Sequence, residues 1–373
     1  MQSLIATAAF GLEAVVKREV TALGFSDIKC LDGKVEFAPQ GDLYEAIVRA
    51  NLWLRSADRV LLKMGEFPAT TFDGLFESVK SLPWEEWIPV DGKFTVTGKS
   101  VRSGLFSVPD VQSIVKKAIV EKLRQKYKVE WFKETGAEFT IQAAILKDIA
   151  TLTIDTTGAK NGLHKRGYRA RSTAAPMKET MAAALIQLAN YSGRKPFLDP
   201  CCGSGTLPIE AALIAKNIAP GLARKFASER WPMIPQKIWK EERSAAYSKM
   251  RTETEPIIHA ADIDPEAVEL AHANAELAGV DDCIIFENRS VSQTILPSET
   301  GIAIINPPYG ERLGEIKQAE ALYSQLGSIF NPTRWNIYVI TPDEFFETAY
   351  KKRAKAKRKL FNGMIKTDYY QYF

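Results

Sequence analysis

Apolar and polar positions in the first 65 residues alternate between the spacings of strands and helices. Residues 4–7 and 35–37 are short strand-like runs. Apolar residues recur every three or four positions in 11–23 and in 43–54, as on one face of a helix. Gly24 is a stop signal for the first of these helices. The order strand, helix, strand, helix predicts a small α+β unit of the ferredoxin-like kind.

The next hundred residues repeat this mixture with longer elements and more basic side chains. The pattern predicts two helices, at 72–79 and 107–127. It also predicts three strands, at 94–100, 139–146 and 149–154. A second α+β unit therefore follows the first, and the predicted boundaries are 1–65 and 66–165.

From residue 166 to the C-terminus, short apolar runs alternate with segments of helical spacing. The predicted strands lie at 196–198, 257–261, 283–286, 302–305 and 336–340, and the predicted helices at 178–190, 207–218 and 265–278. Such alternation predicts an α/β fold with a doubly wound parallel sheet over 166–373. Asn362 and Gly363 lie between apolar runs near the end of the chain, which predicts a C-terminal β-hairpin.

Composition places the chain among ordinary globular proteins. Apolar residues make up 46% and charged residues 25%. There is no run of 18 apolar residues, so we expect no membrane span. The four cysteines are scattered without a CxxC pair, which argues against zinc and disulfides and suits a reducing cytoplasm. Net charge is only +4, so local clusters are more informative than the total.

The strand predicted at 302–305 ends in Asn306-Pro307-Pro308-Tyr309. Prolines cannot donate to a sheet ladder, so they end the strand abruptly. In an open α/β sheet, ligands bind outside the carboxyl ends of the strands. An amide and an aromatic ring at that edge can hold a flat group that carries an amine.

A glycine-rich turn follows the strand at 196–198, where Asp199 precedes Gly203 and Gly205. It is not a Walker A loop, and it departs from the dinucleotide fingerprint because the third glycine position holds Pro208. The glycines allow close approach of a ligand to the backbone. The Asp199 carboxylate favours a ligand with a cationic group over a phosphate.

A second strand-end carboxylate, Asp262, is placed to accept both hydroxyls of a ribose, whereas Asp264 is interpreted as a helix cap. The two carboxylates and the turn describe a site for a ribonucleoside with an amino-acid tail. S-adenosyl-L-methionine has that shape.

These three motifs, in this order, resemble those of class I S-adenosylmethionine-dependent methyltransferases that modify exocyclic or amide nitrogens. The resemblance implies that the Asn306 side chain and the Pro307 carbonyl accept hydrogen bonds from the target NH2, and that Tyr309 stacks on the base. It implies a Rossmann-like methyltransferase domain with Asn306, Pro307, Pro308 and Tyr309 as catalytic residues. The residues it implies for the cofactor are Asp199, Pro200, Cys201, Gly203, Gly205, Thr206, Asp262, Ile263, Ser290 and Asn306.

The segments 162–169 and 306–314, with the three-part layout, resemble bacterial THUMP-domain methyltransferases that make N2-methylguanine in large-subunit rRNA. Members of this family are often labelled N6-adenine-specific DNA methylases because they share the Asn-Pro-Pro-Tyr motif. The resemblance implies a ferredoxin-like domain (1–65), a THUMP RNA-binding domain (66–165) and a methyltransferase domain (166–373). One departure is that an acidic residue expected near 288–290, to contact the adenine amine, is absent. Either Ser290 or Asn288 replaces it by neutral hydrogen bonding, or cofactor affinity is reduced.

Basic clusters are candidates for RNA phosphate contacts, because Arg and Lys mixed with Tyr can hold a backbone and stack a base. The residues predicted to contact RNA are Lys99, Arg102, His164, Lys165, Arg166, Arg169, Lys352 and Arg353. A solvated surface is the structural alternative for each cluster.

The predicted activity is methylation of guanine N2 in large-subunit rRNA, with no membrane or metal partner. Two alternatives involve the same pocket, namely adenine-N6 methylation of DNA and guanine-N2 methylation of tRNA. A third is a non-catalytic RNA-binding factor with a vestigial cofactor fold. The sequence carries no signal for the oligomeric state.

Overall fold

The computed structural model describes residues 2–169, 177–253, 256–309, 313–363 and 365–373. Two seven-stranded sheets with flanking helices organise this part of the chain. The first sheet is built from strands between Leu4 and Asp155, and the second from strands between Phe197 and Tyr372. No helix in the described ranges is long and apolar enough to cross a membrane.

The first sheet has the strand order β2-β3-β1-β4-β7-β6-β5. Its strands are β1 (Leu4–Ala8), β2 (Ser26–Leu31), β3 (Lys34–Ala38), β4 (Ala57–Pro68), β5 (Lys93–Val101), β6 (Glu138–Leu146) and β7 (Ile149–Asp155). The helices are α1 (Glu13–Ala22), α2 (Leu43–Trp53), α3 (Phe72–Ser81) and α4 (Val108–Tyr127). The α+β character of this part is confirmed, although β2 and β4 have no counterpart among the predicted strands.

Strand β4 joins the two N-terminal units into one sheet. Its residues 57–62 pair with β1 and its residues 61–68 with β7, both antiparallel, so Leu61 and Leu62 pair on both sides. Its pairing register with β7 shifts between Lys63 and Gly65, which breaks the alternation of a regular strand. That irregularity explains why apolar spacing did not reveal it. The predicted boundary at 65/66 falls inside β4 and stays a prediction.

The second sheet has the order β10-β9-β8-β11-β12-β14-β13. Its strands are β8 (Phe197–Asp199), β9 (Ile258–Asp262), β10 (Ile284–Asn288), β11 (Ile302–Ile305), β12 (Asn336–Thr341), β13 (Ala356–Asn362) and β14 (Ile365–Tyr372). The helices are α5 (Glu179–Leu188), α6 (Thr206–Ala215), α7 (Gln236–Ser248), α8 (Pro265–Ala278), α9 (Leu313–Phe330) and α10 (Phe346–Tyr350). Strands β8 to β12 run parallel, and β14 pairs antiparallel with β12 and β13. The predicted doubly wound sheet with a C-terminal hairpin is confirmed.

An aromatic stack and a hydrogen bond are among the contacts that join the two sheets and their helices. The segment between α6 and β9 returns to the first sheet, where the Trp231 ring stacks on Phe139 with centroids 4.9 Å apart. At the other side, the Arg358 guanidinium donates to the Gly11 carbonyl over 3.1 Å. Gly11 has φ +89°, and a Cβ there would lie 2.8 Å from the Lys359 carbonyl oxygen, so this close approach requires glycine. The hairpin β13–β14 is therefore in contact with the loop between β1 and α1.

Candidate active site

A cavity of about 570 Å³ opens at the carboxyl edge of the second sheet. It lies where the strand order reverses, between β8 and β11, which is where open α/β sheets bind ligands. Its volume is within the range of small-molecule sites, about 300–1,000 Å³. Of the predicted site residues, the lining contains Asn306, Pro307, Pro308, Tyr309, Asp199, Pro200, Cys201, Gly203, Thr206, Asp262, Ile263 and Ser290. The three motifs, far apart in the chain, therefore meet in one cavity.

Asp199, the last residue of β8, presents a buried carboxyl group to this cavity. It is only 1% exposed, and its Oδ1 accepts a hydrogen bond from the Cys201 amide over 3.1 Å. Burial raises the pKa of Asp199 to about 8, and the nearby charge of Asp262 adds to the rise. The carboxyl is therefore mostly neutral at pH 7, and a cationic ligand would stabilise its charged form.

The two glycines of the turn differ in what they do. Gly203 has φ +51°, and nothing lies within 4 Å of the position a Cβ would take, so it leaves room on the cavity side. Gly205 has φ +83°, and its Cβ would sit 2.9 Å from that of Ala271 in α8. Gly205 is not part of the lining. It permits α6 and α8 to approach each other, and its predicted direct role at the cofactor is not supported by its position.

Asp262 is held at the end of β9 by two backbone amides. Its Oδ2 accepts from the Gly203 amide over 2.9 Å and its Oδ1 from the Asp264 amide over 3.0 Å. Each oxygen retains a lone pair that can accept from a hydroxyl. Asp264 caps α8 by accepting from the Glu266 amide over 3.0 Å, as the sequence predicted.

The structure separates the two candidates for the position after β10. The Asn288 amide donates to the backbone carbonyls of Asp262 and Ile263, over 3.1 and 3.0 Å. Asn288 thus fixes the backbone at the end of β9, whereas Ser290 lines the cavity. Ser290 is therefore the better placed of the two to contact a ligand.

At the end of β11, the Tyr309 hydroxyl donates to Asn306 Oδ1 over 2.7 Å. Burial raises the pKa of Tyr309, so this hydroxyl keeps its proton at neutral pH. Asn362, the last residue of β13, also lines the cavity. The segment 310–312 of the motif lies outside the described residues.

Sequence reasoning did not assign several lining residues to the site. They are Met177, Cys202, Ser204, Leu207, Asp264, Ala267, Val291, Leu322, Gln325 and Asn362. For Asn362, the Asn-Gly pair was informative only as a turn signal. Its presence in the site depends on the insertion of β14 between β12 and β13, which no local pattern encodes.

The thiols of Cys201 and Cys202 are in surroundings that disfavour the thiolate form. Burial raises the pKa of both Cys201 and Cys202 well above the ordinary thiol value, with the Asp199 charge adding to the rise. All four cysteines of the chain are free. Within the described ranges, no cluster of His, Cys, Asp and Glu could hold a metal ion.

Five of the predicted RNA contacts are exposed side chains, and one is half-buried. The exposed ones are Lys99, Arg102, Lys165, Lys352 and Arg353. Burial lowers the pKa of the half-buried His164 to about 4, with Lys178 adding to the effect, so His164 is neutral at pH 7. Arg171, part of the same basic run, lies outside the described residues.

The predicted RNA contact by Arg166 is wrong. Its side chain is 3% exposed, and its Nε lies 3.1 Å from Oε1 of Glu210, which is completely buried in α6. The Tyr168 hydroxyl also donates to Glu210, over 3.2 Å. A run of basic residues that is typical of a protein surface therefore supplies the ion-pair partner of a buried carboxylate.

Arg169 is also turned inward, which contradicts its prediction as a phosphate contact. It donates to the Met177 carbonyl over 3.0 Å and to the Thr206 hydroxyl, and it lies 3.6 Å from Glu179. Both Met177 and Thr206 line the cavity. Arg169 therefore supports the wall of the site from behind.

Comparison with known families accounts for all three parts of the chain. Residues 166–371 match the RMKL-like methyltransferase domain, residues 3–61 the RlmL ferredoxin-like domain, and residues 69–155 the THUMP domain. The chain belongs to the RMKL-like methyltransferase family. The family resemblance and the fold class predicted from the sequence are confirmed.

Individual relatives cover the whole chain. YpsC of Bacillus subtilis (strain 168), named as a candidate RNA methyltransferase, is 51% identical over 100% of this chain and 96% of its own length. The ribosomal RNA large subunit methyltransferase K/L of Psychromonas ingrahamii is 33% identical over 98% of this chain, which spans only 49% of that relative. SMU.472, a candidate methyltransferase, was crystallised in complex with SAH (S-adenosylhomocysteine). It is 43% identical to this chain, and the match covers 100% of this chain and 97% of SMU.472 with a TM-score of 0.93.

Proposed function

We propose that this protein transfers a methyl group from S-adenosyl-L-methionine to N2 of a guanine in large-subunit rRNA. The observation that carries the proposal is the single cavity in which Asp199 and Asp262 meet the Asn306–Tyr309 motif. Support for RNA comes from the THUMP match, and support for rRNA comes from the name of the K/L relative.

The cavity residues fit S-adenosylmethionine. Asp199 offers a buried carboxyl with no ion-pair partner among the described residues, which suits the ammonium of the amino-acid tail. Asp262 has lone pairs for the ribose hydroxyls, and the 74% exposed Ile263 side chain offers an apolar surface to the adenine. Ser290 can hydrogen-bond the adenine amine in place of an acidic residue. When bound, the cofactor supplies an electrophilic methyl group, and S-adenosylhomocysteine is the product.

The motif at the end of β11 holds and orients the target amine. Asn306 Oδ1 and the Pro307 carbonyl accept from its two N–H groups, which leaves the nitrogen lone pair free to point at the cofactor. The ring of Tyr309 supports the base. No strong base is needed, since the amine proton becomes acidic only as the new N–C bond forms. Positioning is therefore the main contribution of the protein.

The experiment is methylation of unmodified large-subunit rRNA with a methyl-labelled cofactor, followed by digestion to nucleosides. We expect labelled N2-methylguanosine with the wild-type protein. Asn306→Ala should reduce the rate by about 100-fold or more, because misplacement of a reacting group costs about that much.

Other outcomes point to other functions. Label in N6-methyladenosine would show that the target is adenine and not guanine. Label only in tRNA or in DNA would refute the assignment of rRNA as the substrate. A wild-type protein that binds RNA but neither binds the cofactor nor labels any nucleic acid would refute methyl transfer altogether, in favour of a non-catalytic RNA-binding factor.

A further inference from the structure

Two phenylalanine rings form an exposed pair at the tip of the C-terminal hairpin. Phe10 lies in the turn between β1 and α1, and Phe361 lies in β13 directly before Asn362, which lines the cavity. Phe10 is 58% exposed and Phe361 37%. Their ring centroids are 6.0 Å apart at an interplanar angle of 77°. An edge-to-face pair of this kind covers one ring face and leaves the others open to a further contact.

The turn that carries Phe10 is fixed by hydrogen bonds and by burial. The Gly11 amide donates to one carboxylate oxygen of Glu13 over 2.9 Å, and the other oxygen accepts from the Gly33 amide over 3.0 Å. Leu12 is only 1% exposed and anchors the turn in the core. A ring presented on a fixed turn loses little conformational entropy when it binds, so the aromatic pair is preorganised for a ligand.

Other contacts join the hairpin to this turn. The Arg358 guanidinium donates to the Gly11 carbonyl over 3.1 Å, and Leu360 is completely buried. The two phenylalanine rings are therefore not needed to hold the segments together. Aromatic area that stays exposed without a packing role indicates a surface that contacts another molecule.

The charge beside the aromatic pair favours an anionic ligand. Lys366 lies directly across the hairpin from Phe361, is exposed, and has no ion-pair partner among the described residues. Flat apolar rings next to a free cation suit a nucleotide, because the base can stack on a ring while the phosphate contacts the cation.

The aromatic pair also lies close to the site proposed for the target base. Strand β13 follows β11 across β12 and β14, so the two strands are about 14 Å apart at a spacing of about 4.8 Å per strand. Both end at the carboxyl edge of the sheet, where the cavity opens. A base that enters the cavity must leave its stack, and this exposes the faces of the neighbouring bases.

We propose that Phe10 and Phe361 form a stacking platform for an unpaired nucleotide of the substrate RNA close to the target base, with Lys366 contacting its phosphate. This inference rests on the proposed function and names unpaired RNA as the form that binds beside the cavity.

The test measures RNA affinity of the full-length protein by fluorescence anisotropy. The probes are a single-stranded RNA of about 12 nucleotides and a duplex RNA of the same length. Phe10→Ala and Phe361→Ala should each raise the Kd for the single strand by about 5- to 100-fold, the effect of losing one base–aromatic stack. The Kd for the duplex should change by less than about two-fold, because its bases are already stacked.

Three further variants separate stacking from packing and from charge. Phe361→Trp keeps a flat ring and should retain the wild-type Kd for the single strand. Lys366→Gln should reduce the slope of log affinity against log salt by about 0.7, whereas the phenylalanine variants should leave that slope unchanged. Phe373→Ala is the matched control, because it removes a 52% exposed ring beyond the opposite end of β14 and should leave the Kd for both probes unaltered.

Phe10→Leu and Phe361→Leu keep apolar packing but lack a flat ring, so they carry the test if the alanine variants do not fold. A wild-type Kd for the single strand in both leucine variants would overturn the proposal. An equal loss of affinity for the single strand and the duplex would also overturn it.

Methylation of rRNA distinguishes failure of this inference from failure of the proposed function. The phenylalanine variants should raise KM for rRNA and leave the Kd for S-adenosylhomocysteine unchanged, because the cavity is intact. If the wild-type protein methylates no RNA, the proposed function fails. If it is active, and the variants alter neither KM for rRNA nor the Kd for the single strand, only the inference fails.

Discussion

The buried carboxyl of Asp199 makes cofactor affinity depend on pH. Its pKa of about 8 means that the free protein carries the charged form in about 1% of molecules at pH 6 and in half of them at pH 8. An ammonium placed beside a carboxylate lowers the pKa of the carboxylate by about 1–3 units. The affinity for S-adenosylhomocysteine should therefore rise with pH from pH 6 to pH 8, by about 5-fold for a 1-unit drop in the pKa and about 50-fold for a 3-unit drop, or about 1 to 2.3 kcal/mol. Near pH 7, binding should release about 0.4 to 0.9 proton over the same range of pKa shifts.

Isothermal titration calorimetry at several pH values measures the affinity. Repeating each titration in buffers of different ionisation enthalpy gives the number of protons released on binding. Asp199→Asn is the matched control, because it keeps the size and the acceptor of the side chain but cannot titrate. Any slope that comes from the ammonium of the ligand is common to both proteins and cancels. Parallel curves for wild type and Asp199→Asn would refute the assignment of Asp199 to the ammonium.

Three further predictions concern stability and RNA binding. Glu210→Gln leaves the buried Arg166 without its ion-pair partner and should lower the free energy of unfolding, measured by urea titration, by about 3–5 kcal/mol. A loss below about 1 kcal/mol would contradict the buried ion pair. Gly205→Ala should cost about 2–4 kcal/mol from backbone strain and overpacking, and clearly more than Gly203→Ala, which has open space around it. Lys99→Gln combined with Arg102→Gln should reduce the slope of log affinity for rRNA against log salt by about 1.4–1.8, and an unchanged slope would remove this surface from the RNA interface.

The cavity was predictable because its motifs follow parallel strands. Each of Asp199, Asp262 and Asn306 comes directly after a short apolar run, and the carboxyl ends of parallel strands share one edge. The local sequence therefore predicted both the side chains of the site and their position at one edge of the sheet. Asn362 was missed because it arrives on the hairpin, and its location depends on the non-local pairing of β14 with β12.

The error at Arg166 has a similar origin. A run of basic residues is the expected pattern of a phosphate-binding surface, and its exposed member Lys165 still fits that prediction. Burial of Arg166 depends on Glu210, which lies 44 positions later on α6. Only the docking of that helix shows that the charge is neutralised inside the protein.

The pairing of strand β4 limits where this chain can be cut into domains that are transferred to other proteins. Its residues 57–62 pair with β1 and its residues 61–68 with β7. A breakpoint after residue 65 would leave nine residues of β4 on one fragment and three on the other, and each fragment would have a newly exposed sheet edge. Exposed edges of this kind invite pairing with other chains. The smallest N-terminal piece that can be grafted onto another enzyme with its sheet intact is therefore the whole of 1–155, and chimeras that exchange either half alone are expected to aggregate.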